Sequence, residues 1–234
     1  MTEFQNPNRA GQMEVAFKLP CDLSGVVPTK EWIAALLRTN PDLTGWPFFV
    51  DLWNARHPEY QPVIKNGVWE ATMDQEPDEF DGGFDYWRID GRKGLFFASR
   101  AYEDDSSPRG PGSGKSLEFG LLILRVAELI AVALAFGNYL CPDGKNIRMN
   151  WKWTNLSGRV LSSWANPERS LSRYYKCAVN EVTYDALVPM DTTKDQISVI
   201  TGKVVQEVFL NFDGWQCPSV AIDQLVEKLL NRRL

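Results

Sequence analysis

Histidine is nearly missing from this chain: in 234 residues there is one, His57, so any scheme built on an imidazole base has a single candidate. It sits in "ARHPEY" between Arg56 and Pro58, a context that reads as an exposed turn. Cysteine is scarce as well. Cys21, Cys141, Cys177 and Cys217 are scattered with no C-x-x-C pair, and with one histidine they form no recognised zinc spacing. No catalytic residue, metal site or cofactor is predicted. Nothing at the N-terminus resembles a signal peptide, so the cysteines are expected to be reduced, buried thiols in a cytoplasmic protein.

A long uninterrupted apolar run is also lacking. The most apolar stretch, "GLLILRVAELIAVALAFGNYL" (120–140), is broken by Arg125 and Glu128, and its uncharged part, Leu129 to Pro142, has 14 residues where a bilayer needs about 20. This predicts a core helix rather than a membrane span. On a helical wheel Glu118, Arg125 and Glu128 fall within an arc of about 80°. All other faces are apolar and require cover.

A complete phosphate-binding loop is the third absence. "RGPGSGKS" (109–116) ends in Gly114, Lys115 and Ser116, but the G-x-x-x-x-G-K-[ST] pattern requires glycine at position 109, which is Arg109. Acidic and flexible residues 103–109 also separate the loop from the preceding strand pattern. Nucleotide binding through loop 110–116, with Lys115 and Ser116 as its reactive ends, is therefore a secondary alternative to a flexible connection.

What is present points to a globular chain. Apolar residues make up 44%, with nine tryptophans, and a chain of this length can bury roughly 70% of its unfolded surface. "MEVAFKL" (13–19) alternates as a strand, and Thr29 caps a short helix that ends at Asn40–Pro41. Strand patterns follow at 63–72, 84–89 and 94–102, the last two joined by an Asp90–Gly91 turn. The long helix is placed at about 117–138, with Gly137 and Asn138 as its stop.

Next, "IRMNWKW" puts Ile147, Met149, Trp151 and Trp153 on one side and Arg148, Asn150 and Lys152 on the other. A returning strand is predicted at 159–164 and another at 175–182. Thr193 and Gln196 match a capping box opening one amphipathic helix, and Pro218 opens a second. The expected fold is α+β: an antiparallel sheet with a long buried central helix and two C-terminal amphipathic helices. Residues 1–12 read as a tail or linker remnant, and 13–234 as a single domain.

Charge is polarised along the chain, although the net charge is −5. Residues 70–105 hold eleven acidic residues against four basic, and residues 145–176 hold seven basic against Glu168 alone. The acidic runs 74–85 and "YEDD" (102–105) read as solvated loops. In the basic segment Arg148, Lys152, Arg159, Arg169 and Arg173 are candidates for binding nucleic acid or a partner's acidic surface, or for pairing with the chain's own acidic segment. Trp46, Trp87 and Trp153, with Arg159, are candidates for a pocket or interface; the alternative buries the rings in the core and pairs Arg159 with a carboxylate.

"MEVAFKL", "LTGWPFF" (43–49), "FDYWRID" (84–90), "SRAYEDD" (99–105), "WTNLSGRVLSS" (153–163) and "VVQEVFLNFDGW" (204–215) occur in this order. Together they resemble the C-terminal region of bacterial DNA-binding or transcriptional-regulator proteins whose N-terminal part is a Schlafen-type AlbA domain. The resemblance spans most of residues 12–234. It implies a non-enzymatic accessory or sensing module, either excised or stand-alone, that works with an AlbA-type DNA-binding domain or a partner protein through contacts or an effector pocket. Direct nucleic-acid binding by 145–176 is the alternative, a homo-oligomer is left open, and no membrane partner is implied.

Overall fold

The computed structural model describes residues 11–74, 83–107, 109–166 and 169–232. Most of the acidic run 74–85, with Glu76, Asp78, Glu79 and Asp81, lies outside the described residues, as does most of the tail.

Seven strands form one antiparallel sheet in the order β2-β3-β4-β5-β1-β7-β9. They are β1 (Gln12–Lys18), β2 (Val63–Lys65), β3 (Val68–Asp74), β4 (Phe84–Asp90), β5 (Leu95–Ala101), β7 (Asn146–Trp153) and β9 (Val182–Pro189). Alternation decides which face is covered. Val15 and Phe17 of β1 lie beside Ala98 and Phe96 of β5 and beside Trp151 and Met149 of β7, and all are buried. The opposite face carries Glu14 and Lys18 beside Lys152 and Arg148.

Among the described residues there are five α-helices, α1 (Lys30–Leu37), α2 (Glu103–Ser106), α3 (Phe119–Leu140), α4 (Lys194–Phe209) and α5 (Ser219–Leu230), and a 3-10 turn at Pro58–Tyr60. Thr29 caps α1, accepting from the Trp32 N–H, and Thr193 and Gln196 form the expected capping box on α4. The long helix α3 packs against α4 and α5 and on the sheet, where Phe136 meets Phe17, Phe49 and Phe96. By length and composition α3 could cross a membrane, and most of its surface is buried within the fold. One cluster of buried apolar side chains runs from Met13 to Leu229.

The structure departs from the sequence reading at several points. Gly137 and Asn138 do not stop α3, which continues to Leu140. Gly137 is instead a close-approach position, since a Cβ there would lie 2.7 Å from Met190 Sδ and 3.0 Å from Ile147 Cδ1. The returning strand shrinks to β8 (Val160–Ser162), which pairs not with β7 but in parallel with β6 (Ser116–Glu118). The place beside β7 goes to β9, and segment 175–182 contributes isolated bridges, Val160 to Lys176 and Cys177 to Phe212, and at its end only Val182, the first residue of β9. Gln12 already belongs to β1.

The cysteines divide into two kinds, which corrects the all-reduced reading. Cys21 and Cys141 are joined as a disulfide with Cα atoms 5.7 Å apart, while Cys177 and Cys217 are free and buried. The bond ties the chain just after β1 to the C-terminal cap of α3.

Candidate functional site

The end of β5 delivers Tyr102 and three consecutive acids, Glu103, Asp104 and Asp105, to the start of β6 and α3. They are not a solvated loop. Asp105 forms a two-pronged pair with Arg159, Nη1 to Oδ1 at 2.8 Å and Nη2 to Oδ2 at 2.6 Å. Arg159 also donates to the Asn155 and Ser116 carbonyls, stacks over the Tyr102 ring and is fully buried. A guanidinium suits this role because its planar fork matches a carboxylate while its remaining N–H groups reach backbone oxygens. Arg159 therefore presents no charge to nucleic acid or to a partner, correcting that expectation.

Asp104 accepts from the Ser116 hydroxyl, from Trp164 Nε1 at 3.1 Å and from the Glu118 backbone N–H at 2.8 Å. Burial raises its carboxyl above the ordinary range against the pull of these donors. Glu118 caps α3 by accepting the Leu121 N–H. Burial pushes Glu118 up to about 8, against the Leu121 N–H and with the Asp104 charge adding to the rise.

Glu103 accepts from Arg125 Nε at 2.6 Å. Arg125 Nη1 is bonded to Thr44 Oγ1, the Trp46 carbonyl and Glu128. Burial acts to raise the Glu103 carboxyl, but the Arg125 and Arg100 guanidiniums outweigh it and hold it low. Arg100 pairs with Asp85 and donates to the Trp46 and Pro47 carbonyls at 3.0 Å. The second Asp85 oxygen takes the Trp46 indole N–H at 2.6 Å.

Between these groups lies a solvent-open cleft of about 510 Å³, lined by Trp46, Asp85, Arg100, Glu103, Arg125 and Trp164 among others. That volume falls in the range of sites for metabolite-sized ligands. Loop 44–47, β4, the end of β5, α2, the first turns of α3 and the segment after β8 each contribute to it.

Of the three tryptophans singled out from sequence, only Trp46 reaches the cleft. Trp87 is buried with its Nε1 on the Val50 carbonyl, and Trp153 is fully buried. The basic candidates are not gathered into one patch. Arg148 is exposed on the open face of the sheet, where Lys152 pairs with Glu181 at 3.1 Å. Arg169 is bonded to Ala221 and Gln224 of α5, and Arg173 lies over the Tyr175 ring.

The glycine loop is not built as a phosphate cradle. The Gly114 N–H is given to Asp105 and the Ser116 hydroxyl to Asp104. The helix N-terminus that would face a phosphate is already occupied by the Glu118 carboxylate. Lys115 is exposed. His57 is exposed too and pairs with Glu59 at 3.3 Å.

Arg100, Glu103, Arg125 and Trp164 were not picked out as site residues from sequence. Their signal is the lone Arg125 and Glu128 three apart in an otherwise apolar helix, since buried ions require partners from elsewhere in the chain. No family model matches the chain, and no curated protein or solved structure matches it either.

Proposed function

We propose that this chain is a non-enzymatic sensing module that binds a small effector in the Trp46–Trp164 cleft and works with an AlbA-type DNA-binding domain. The observation that carries the reading is the cleft itself: about 510 Å³, walled by indoles and floored by paired charges. Three of the stretches that carry the family resemblance converge there, through Thr44 and Trp46, through Asp85, and through Arg100 and Glu103. Rigid, pre-paired side chains around a concave surface favour ligand binding because little ordering is left to do on association. Asp85, Asp104, Ser116 and Thr44 are committed to protein partners, which favours recognition over chemistry.

A thermal-shift screen of the full chain against a library of soluble metabolites tests this, because a ligand that binds only the folded state raises the melting temperature. Ala165 lines the cleft and is exposed, so Ala165→Trp fills it without removing a contact. Compounds are expected to stabilise the wild type and not Ala165→Trp. Stabilisation shared equally by the variant, or none across the library, contradicts the effector reading. The link to DNA binding predicts an AlbA-type domain encoded beside this chain, and its absence there removes that half of the proposal.

A further inference from the structure

The two indoles at the cleft are held by their own N–H groups, Trp46 by Asp85 at 2.6 Å and Trp164 by Asp104 at 3.1 Å. Each carboxylate is in turn fixed, Asp85 by Arg100 and Asp104 by Ser116 and the Glu118 N–H. With the polar atom of each ring tied back, what remains toward the cleft is carbon surface of fixed orientation. Trp46 is 39% exposed, a large aromatic area to leave in water. Rigid aromatic surfaces of this kind are platforms for flat rings.

The polar lining supplies a matching edge. Arg125 uses Nε and Nη1, and its Nη2 makes no hydrogen bond among the described residues. Glu103 takes the Arg125 Nε–H on Oε1, and the other hydrogen bond to its carboxylate comes from its own backbone N–H, which leaves lone pairs for a ligand. A guanidinium donor and a carboxylate acceptor therefore stand side by side on one ion pair, with the Arg125 side chain 13% and the Glu103 side chain 28% exposed. A heterocycle with a ring acceptor next to an amino or imino donor satisfies both at once, the way bases are read on their edges.

Charge narrows the ligand further. Arg100 is neutralised by Asp85, and Arg125 by Glu103 and Glu128, so carboxylates outnumber guanidiniums and no lining cation among the described residues is left over for a phosphate. On these grounds, and resting on the effector reading above, we infer that the cleft takes a neutral nucleobase or nucleoside, its ring against Trp46 and Trp164 and its edge on Arg125 and Glu103. A 5′-phosphate adds nothing to binding.

Calorimetric titration of the full chain with adenosine, guanosine, cytidine and uridine, and with their 5′-monophosphates, tests this. L-Glutamine and D-glucose serve as non-aromatic probes. At least one nucleoside is expected to bind, its monophosphate no more tightly, with the affinity falling about tenfold or more in Trp46→Ala and vanishing in Ala165→Trp at unchanged melting temperature. The inference is overturned if no nucleoside binds at millimolar concentration, if a monophosphate binds tenfold or more tightly than its nucleoside, or if binding survives Ala165→Trp. A non-aromatic probe that binds wild type and not Ala165→Trp while nucleosides do not overturns the ligand class and leaves the effector reading standing.

Discussion

Glu103, Asp104 and Asp105 are neighbours in sequence and strangers in environment. One faces the cleft through Arg125, one is shut among Ser116, Trp164 and the start of α3, and one is bound two-pronged to Arg159. Two buried charges repay their desolvation only while both are present, so removing one costs more than the pair itself contributes. Asp105→Asn is expected to lower the unfolding free energy by about 3 kcal/mol in urea titration. By contrast, Lys93→Gln, which removes the exposed partner of Asp90, should cost less than about 1 kcal/mol. Similar losses from the two changes would show that the Arg159 pair is not holding the β5–β6 junction.

At the scale of elements, α3 is the part whose start depends on protonation. The folded chain holds a proton on Glu118 up to about pH 8, whereas the carboxyl's ordinary value is 4.5. Between those values the folded state binds a proton that the unfolded state has released. The stability carried by this group is therefore complete below about 4.5 and is lost as pH rises through about 8. Glu118→Gln keeps a carbonyl oxygen for the Leu121 N–H and cannot ionise. Wild type and variant should unfold alike near pH 4, below the ordinary carboxyl value. At pH 9 the variant should be the more stable by about 1.4 kcal/mol or more, the equivalent of one pKa unit. A constant difference across the range would contradict the buried-acid account.

The elements differed in how readable they were. The apolar periodicity of α3, α4 and α5 and the alternation of β7 announce themselves because each buries a full stripe or face. Strand β9 hides because it sits at the sheet edge, where only Val182 and Val188 are buried and the other inward positions are the half-covered Tyr184 and Ala186. The parallel pairing of β6 with β8 is invisible to local pattern, since it joins segments separated by all of α3 and β7. For the cleft, Trp46 could be named from composition. Arg125 is flagged only by standing with Glu128 in an apolar helix, and Arg100 and Glu103 not at all, because a charge looks solvated until its partner, here 15 and 22 residues away, is known.

For the molecule as a whole, the longest-range covalent tie is the Cys21–Cys141 disulfide, which closes a sequence separation of 120 residues. Closing a loop of that order removes unfolded-state entropy equivalent to about 5 kcal/mol in the chain-entropy account. Full reduction, or Cys21→Ser, is expected to lower stability by a loss of that order, and mass analysis of the unreduced chain should find two free thiols, Cys177 and Cys217. Four alkylatable thiols with unchanged stability would contradict the tie. The same closed architecture puts α3, α4 and α5 on one side of the sheet, leaves Arg148 and Lys152 on the other, and opens the Trp46–Trp164 cleft at the end of β5.

The cleft and the buried core are reported separately by the indole N–H resonances of the nine tryptophans. Adding the nucleoside panel to isotope-labelled full chain is predicted to move the resonances of Trp46 and Trp164 and to leave those of the buried Trp87, Trp151 and Trp153 in place. No movement of Trp46 or Trp164 at saturating ligand, or shifts confined to the buried Trp87, Trp151 and Trp153, would contradict the cleft as the site of recognition.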